Sequence, residues 1–339
     1  MRYGLALPQY DFSIIDERPL AWSTVRETAR RAESLGFDSV WLSDHLFLDI
    51  AKYGGSDRPE AAFEPIVTLA ALARELQHVR LGTLVFCEAL RSASVLAKAL
   101  ATLDRISGGR VDVGLGAGWY EPEYAAIGME FPRPGVRLAR MREALDILTE
   151  LLGEDGGPLV YDGRFHRTNG ARNFPTAVQR PRPPVFVGGK GDRLLRMVVE
   201  RADGWNTCWV WTPDEYQARR EVLLRECDRV GRDPATVWCS LGLYALCGED
   251  EADLALRFER LKQRTPAGVL DHVGLDEWRV GRLVGTVEQI REQVATWGEL
   301  GVETLIIGAG AVPFHLGALD DVELLAHAVG AAGRVGPAG

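Results

Sequence analysis

An aspartate and a histidine stand next to each other at the end of a short apolar stretch, in the order Leu42-Ser43-Asp44-His45. A histidine titrates near neutral pH, and beside a carboxylate it can exchange protons or hydrogen-bond the polar edge of a cofactor. We therefore predict that His45 transfers a proton and that Asp44 lies beside it in one catalytic site. The alternative is structural, with Asp44 capping the following loop and His45 packing against it.

Two glycine-rich segments follow other apolar stretches. The glycines of Gly114-Leu115-Gly116-Ala117-Gly118-Trp119 would let a planar ring or a phosphate approach the backbone closely. This segment lacks the spacing and the later acidic residue of the dinucleotide-binding fingerprint. The second segment, Gly188-Gly189-Lys190-Gly191-Asp192, precedes a predicted helix, so free backbone N–H groups and Lys190 could hold an anionic group there. A tight turn between strand and helix is the alternative.

These segments follow predicted strands, and amphipathic helical patterns lie between the strands. Such alternation is typical of parallel βαβ units. Eight of each predict a closed (β/α)8 TIM barrel, in which reactive residues sit at the C-terminal ends of the strands. The predicted strands are 3–7, 39–43, 79–85, 111–115, 185–187, 204–208, 237–245 and 304–308. The predicted helices are 21–34, 65–75, 94–106, 135–152, 193–201, 213–230, 287–300 and 319–329.

The length of 339 residues fits one such barrel with insertions, and we predict a single domain over 1–330. The insertion at about 153–184, after the fourth helix, is predicted to be hairpin-like because it contains Gly-Gly-Pro and Tyr-Asp-Gly-Arg. The insertion at about 249–285, after the seventh strand, is a candidate lid over the site. The Gly- and Ala-rich end, 331–339, is expected to be a flexible tail.

Composition excludes several functional classes. The net charge is −9 and the basic residues form no stripe, so no nucleic-acid partner is expected. The five cysteines are widely spaced with no C-x-x-C pair, so neither disulfides nor a metal site is predicted. No stretch approaches about 18 apolar residues, and the N-terminus lacks the features of a signal peptide. A cytoplasmic protein without a membrane partner is the expectation.

Taken together, the strand endings resemble the luciferase-like monooxygenase superfamily, and especially its branch dependent on the deazaflavin coenzyme F420. The resemblance spans most of the chain, and its specificity comes from seven pieces in the same order. They are AESLGFDSVW (32–41), SDH (43–45), LGT (81–83), ATLDRISGGR (101–110), GLGAGW (114–119), PPVFVGG (183–189) and ADGWN (202–206).

The resemblance implies where a cofactor would lie. It places a non-proline cis peptide at Leu84-Val85, in a bulge of the third strand that backs the ring, and it places Asp44 and His45 beside the ring. The residues it implies for the cofactor are Thr83, Leu84, Val85, Gly116, Ala117, Gly118 and Trp119 around the ring, with Gly188, Gly189, Lys190 and Gly191 at the phosphate. The sugar-phosphate dehydrogenases of this branch carry a glutamate where this chain has Trp119, so oxidation of glucose 6-phosphate is not expected.

The function implied is hydride transfer between F420 and a small organic substrate, with a homodimer expected by family analogy. Trp205 and Trp209 are candidate walls of the substrate pocket, although such residues usually belong to the core. The alternative enzyme is a two-component monooxygenase that uses reduced FMN, oxygen and a separate reductase partner. A different class is a non-catalytic barrel that binds a flavin. The sequence does not identify the substrate or the direction of transfer.

Overall fold

The structure is a computed structural model that describes residues 1–331, so the predicted tail lies outside the described residues except for Ala331. Eight parallel strands form one closed barrel in which each strand pairs with the next along the chain and the eighth pairs with the first. The predicted barrel is therefore confirmed. Its strands are β1 (Arg2–Ala6), β2 (Ser39–Leu42), β3 (Arg80–Thr83), β4 (Val111–Gly116), β5 (Val185–Gly188), β6 (Gly204–Trp209), β7 (Trp238–Gly248) and β8 (Thr304–Gly308).

Eight helices cover the outside of the barrel, and their ends carry the capping residues that the sequence predicts. They are α1 (Trp22–Ser34), α2 (Pro65–Glu75), α3 (Ala93–Ser107), α4 (Pro134–Leu152), α5 (Asp192–Arg201), α6 (Pro213–Val230), α7 (Val287–Glu299) and α8 (Leu319–Ala328). Helix α6 begins with a capping box between Thr212 and Glu215 and has proline at its first position. Gly36, just beyond α1, has a φ of +83°, a left-handed conformation that glycine adopts without a steric penalty.

Aromatic rings fill the barrel interior below its C-terminal mouth. The ring of Phe186 contacts Trp41 at a centroid distance of 5.6 Å and Trp238 at 5.3 Å, and all three belong to β strands. Gly4 and Gly82 leave the room that Trp41 needs, because a methyl group on either would collide with the indole. These rings fill the middle of the barrel, and an open cavity lies towards the C-terminal ends of the strands.

The insertions lie where the sequence predicts them. The first contains a hairpin of Leu159–Asp162 and Arg167–Ala171. The second contains helices Glu251–Arg264 and Leu275–Arg279, followed by a strand, Leu283–Thr286, that pairs with β7. Short additional elements are the strands Phe47–Leu48, Glu60–Ala61 and Phe86–Cys87, the helix Glu121–Ala126, and 3-10 turns at Ala51–Tyr53, Glu88–Leu90 and Pro234–Thr236. Within residues 1–331, no helix combines the length and apolar character needed to cross a membrane.

The candidate lid is tied to the barrel by ion pairs. Arg257 and Arg260, on its longer helix, lie 2.8 and 2.6 Å from the same carboxylate oxygen of Asp321 in α8. The carboxylate of Asp321 is buried, so the protein shields it from water and the two guanidinium groups are its main partners. These contacts hold the longer helix of the insertion against α8.

Candidate active site

A cavity of about 390 Å³ opens at the C-terminal mouth of the barrel. Its wall is formed by the segments that follow seven of the eight strands, β1 to β6 and β8. Of the residues predicted for the site, those that line the cavity are Asp44, His45, Leu84, Val85, Gly116, Ala117, Gly118, Trp119, Gly188, Gly189, Lys190 and Trp209. These are 12 of the 25 residues that line the cavity.

The floor of the cavity is the bulge that follows β3. The peptide bond between Leu84 and Val85 is cis, as the resemblance predicts. Strand β3 ends at Thr83, two residues before the predicted end, because the chain leaves the strand pairing at this bulge. The side chain of Val85 then lines the cavity beside Gly116 and Gly188.

The glycines around the floor make room for Val85. A methyl group on Gly116 would lie 2.6 Å from Cγ2 of Val85, and one on Gly188 would lie 2.9 Å from its Cγ1. On Gly114 a methyl group would lie 2.7 Å from that same Cγ1. The sequence analysis assigned these glycines to the approach of a ring or phosphate. The structure shows a second steric reason for them, which is the close approach of the bulge.

His45 forms its side-chain contact with Glu123 and not with Asp44. The Nδ1 atom of His45 lies 3.3 Å from a carboxylate oxygen of Glu123, and the other oxygen accepts the backbone N–H of Leu46. Glu123 is buried, with 1% of its surface exposed, and His45 is its ion-pair partner within residues 1–331. The rings of Trp119 and Tyr120 meet the imidazole edge-on at 5.5 and 5.9 Å.

Asp44 has a different partner, so the predicted Asp44–His45 pair does not form. Both carboxylate oxygens of Asp44 accept hydrogen bonds from Nη1 of Arg91, at 2.8 and 2.7 Å, and one also accepts the backbone N–H of Cys87 at 2.9 Å. Burial raises the pKa of Asp44, while the Arg91 guanidinium and the Cys87 N–H oppose that rise. These contacts give Asp44 a structural part in joining the ends of β2 and β3.

Two lysines stand at the rim of the cavity. Lys52 lies over the ring of Trp119 with its Nζ 4.5 Å from the centroid, and Lys190 lies over Trp211 at 4.8 Å. Neither forms an ion pair with a carboxylate in the described part of the chain. Helix α5 begins two residues after Lys190, so its N-terminal backbone N–H groups add positive potential beside that lysine. The rim therefore suits an anionic group.

Three of the predicted site residues lie outside the cavity wall. Trp205 is fully buried, its ring stacks on Tyr216 of α6 at 5.2 Å, and it belongs to the layer between barrel and helices. It is therefore wrong as a wall of the substrate pocket. Thr83 lies beneath the wall, where its hydroxyl accepts the N–H of Gly114 at 3.1 Å. Gly191 is the residue before α5, next to the wall but not part of it.

Trp209 lies where the substrate pocket was predicted, on an aromatic side of the cavity. Its ring stacks on Tyr244 at 5.2 Å and meets Phe314 edge-on at 5.5 Å. Phe314 has a φ of +58°, a conformation that is uncommon for a residue with a side chain. The neighbouring His315 accepts the N–H of Ala311 at 3.1 Å and contacts the carbonyl oxygen of Arg264 at 3.0 Å, which holds this loop against the second insertion.

A second cavity of about 470 Å³ continues from the first beneath the second insertion. The two share a boundary, which consists of Lys52, Tyr53, Lys190, Cys208 and Trp209. Burial raises the pKa of the Cys208 thiol to about 12, so it remains protonated at neutral pH and supplies no thiolate nucleophile. The joined cavities provide room for two ligands side by side.

Sequence reasoning missed several residues of the wall. Glu123, Lys52, Tyr10 and Phe314 line the first cavity but were not predicted. Glu123 had a usable signal, because it stands four residues after Trp119 at the beginning of a short helix. The others had none, since they come from loops after β1, β2 and β8 whose paths depend on tertiary packing.

Most of the chain is similar to proteins already known. A family model described as luciferase-like monooxygenase matches residues 1–304. The F420-dependent hydroxymycolic acid dehydrogenase of Mycobacterium tuberculosis is 28% identical over 295 residues, which cover 84% of this chain and 76% of that protein.

Two solved structures have a similar fold. An F420-dependent secondary alcohol dehydrogenase in complex with an F420-acetone adduct has a TM-score of 0.76 at 19% identity, over 98% of both chains. A riboflavin lyase with modified FMN and riboflavin has a TM-score of 0.77 at 16% identity, over 99% of this chain and 94% of that one. At these identities the likeness supports the fold alone.

Proposed function

The chain belongs to the luciferase-like monooxygenase family, and we propose that it is an F420-dependent oxidoreductase that transfers a hydride between the deazaflavin and a small organic substrate. The observation that carries the proposal is the cavity itself. Its floor is the Leu84-Val85 bulge, its rim carries Lys52 and Lys190, neither of which pairs with a carboxylate within residues 1–331, and a histidine lines its wall. The named F420-dependent relative, aligned over 84% of the chain, supports the choice of cofactor.

The residues present fit a flat anionic cofactor. The backbone and side chains of Leu84 and Val85 offer an apolar surface against which a ring would lie, because Gly116 and Gly188 carry no side chains that would displace the bulge. Lys190 and the N-terminus of α5 would hold a phosphate through charge and backbone N–H groups. A reduced deazaflavin supplies the hydride when bound, and the protein supplies orientation and proton transfer.

The second cavity provides the space for a substrate. It meets the first at Trp209, so a substrate lying there would reach over the floor from the aromatic side. His45, on the opposite side, would take the proton from a hydroxyl group that is being oxidised, or return it to a carbonyl group that is being reduced. In either direction the proton moves through the imidazole while the cofactor carries the hydride.

The test is binding and turnover with matched cofactors. Purified apoprotein is titrated with F420 and with FMN, following quenching of fluorescence, and a panel of secondary alcohols and ketones is then assayed with each cofactor. We expect F420 to bind at least tenfold more tightly, a difference of about 1.4 kcal/mol, and to support turnover without oxygen. Preference for FMN with oxygen-dependent turnover would favour the monooxygenase instead.

A histidine variant tests the non-catalytic alternative. His45→Gln keeps a polar side chain of similar length but removes the titrating imidazole, so turnover should fall by about 100-fold or more, while F420 affinity changes less than threefold. A protein that binds the cofactor tightly but shows the same absence of turnover before and after this substitution would be a binding module.

A further inference from the structure

Glu123 is a buried carboxylate that neither the sequence motifs nor the family resemblance assigns to the site. It lies in the helix Glu121–Ala126, directly after the glycine-rich segment, and 1% of its surface is exposed. No arginine or lysine in the described part of the chain lies within ion-pair distance of it. A carboxylate buried without a permanent cation is costly unless another group compensates it. The group placed to do so is the imidazole of His45.

The contacts of Glu123 divide its two oxygens between two donors. One accepts the backbone N–H of Leu46, which fixes the loop after β2, and the other faces Nδ1 of His45 at 3.3 Å. A carboxylate oxygen accepts hydrogen bonds and cannot donate them while ionised. The proton on a neutral His45 is therefore favoured at Nδ1, where it meets an acceptor.

The other ring nitrogen of His45, Nε2, is the atom available for proton exchange with a substrate. Within residues 1–331, Nε2 of His45 has no hydrogen-bond partner, and the ring lines the first cavity. Trp119 and Tyr120 meet the imidazole edge-on and contact each other at 5.4 Å, so they pack together against the imidazole and restrict its rotation. The Tyr120 hydroxyl in turn donates to Asp49, in the loop that carries His45.

We propose that Glu123 is the positioning residue for His45. It holds the neutral imidazole as the Nδ1–H tautomer, so that the Nε2 lone pair faces the cavity and accepts a proton from the substrate. It also stabilises the imidazolium that results, because the charge forms next to a buried carboxylate. The catalytic part of this inference depends on the proposed function, whereas the state of the ring does not.

The tautomer can be measured directly in apoprotein. Long-range ¹H–¹⁵N correlation spectra of ¹⁵N-histidine-labelled protein show which ring nitrogen carries the proton, with the His45 signal assigned from its absence in His45→Gln. At a pH where the ring is neutral, wild type should show the Nδ1–H form. Glu123→Gln presents an amide that can donate to Nδ1, so it should shift the ring towards the Nε2–H form. A wild-type ring in the Nε2–H form would overturn the proposal without reference to any variant.

Kinetics provide the second readout, with Glu121→Gln as the matched control. Glu121 lies two residues earlier in the same helix and is exposed, so its variant removes the same charge without touching His45. We expect Glu123→Gln to lower kcat with F420 on the order of 10- to 100-fold, to move the pH dependence of kcat to lower pH, and to leave the F420 dissociation constant within threefold. Glu121→Gln should match wild type.

The outcomes separate this inference from the proposed function. The expected tautomers in a protein that neither binds nor turns over F420 would retain Glu123 as the residue that orients His45 and reject the F420 function. Turnover with F420 that is unaffected by Glu123→Gln, in a variant whose thermal unfolding matches wild type, would reject the positioning role and keep the function. Equal losses of kcat in the Glu121 and Glu123 variants would show that the removal of one negative charge explains the effect, and this would overturn the proposal.

Discussion

On one side of the cavity, which we call the polar half, the polar side chains of Asp44, His45 and Glu123 each have a defined partner. Asp44 binds Arg91, and Glu123 binds the His45 ring and the backbone of Leu46. On the other side, which we call the aromatic half, the ring of Trp209 contacts the rings of Tyr244 and Phe314. There the hydroxyl of the buried Tyr244 has no hydrogen-bond partner within residues 1–331.

The difference between the two halves shows how one cavity can hold its reacting groups in fixed positions and still accept different substrates. Hydrogen bonds to charged groups are directional and fix the position of each atom. Ring contacts depend less on direction, and their strength is spread over a larger area. Changes in the polar half should therefore affect stability and the chemical step, whereas changes in the aromatic half should affect which substrate is accepted.

The largest effect is expected from breaking the charged pair in the polar half. Asp44→Asn leaves Arg91 partly buried with Glu64 as its remaining carboxylate, and we expect the free energy of unfolding to fall by about 3 kcal/mol. Urea denaturation measures the loss. Asp162→Asn is the matched control because its pair with Arg167 is exposed by 82% and 78%, and it should change stability by less than about 0.5 kcal/mol. Equal losses in the two variants would contradict the assigned burial.

A smaller effect on the free energy of unfolding is expected from protonation of His315, the residue that follows Phe314 of the aromatic half. Burial lowers the pKa of His315 to about 4, whereas an unfolded histidine titrates near pH 6.5. Since the unfolded chain takes up the proton first, the stabilisation of this neutral ring is complete above about pH 6.5 and is lost as the pH falls towards 4. We expect a loss of about 2 kcal/mol between pH 7 and pH 4.5.

The contribution of His315 is isolated by a variant. His315→Gln cannot titrate, so the difference in unfolding free energy between wild type and this variant should shrink as the pH falls. Guanidinium denaturation at four pH values between 4.5 and 7 measures it. A difference that stays constant with pH would show that His315 is not held neutral in the fold.

The smallest effect is expected from Trp209 and concerns substrate alone. Trp209→Phe reduces the ring overlap with Tyr244 and Phe314, and KM for the substrate identified in the cofactor assay should rise about fivefold, which corresponds to about 1 kcal/mol. The F420 dissociation constant should not change. Trp205→Phe is the matched control, because that ring is buried outside the cavity and its loss should lower stability but leave KM unchanged. A higher KM in the Trp205 variant would place the substrate pocket elsewhere.

The sequence predicted the barrel well because its pattern is local. The strands are short apolar runs buried along their length, the segments between them are amphipathic helices, and capping residues such as Thr212 and Gly36 mark helix ends. The same locality explains why the glycine-rich wall segments were found. The resemblance added the cis bond at Leu84-Val85, which no periodicity indicates.

The partners of the site residues could not be predicted in the same way. Asp44 and His45 are neighbours in sequence, yet Arg91 and Glu123 are their partners, 47 and 78 residues away. Successive side chains leave the backbone in different directions, so adjacency in sequence does not imply that they bond. Trp205 and Trp209 similarly differ in orientation although both belong to β6, because one points towards α6 and the other into the cavity.

The close packing of Val85 against Gly114, Gly116 and Gly188 restricts which substitutions the cavity floor can accept. Gly114, Gly116 and Gly188 each border the volume of one valine side chain, so a larger residue at any of them requires a smaller one at position 85. Gly114 is fixed independently of the valine, because a methyl group there would also lie 2.2 Å from the carbonyl oxygen of Thr83. Redesign of the cavity floor therefore has to begin by shrinking the valine, after which positions 116 and 188 can accept a side chain while Gly114 stays constant.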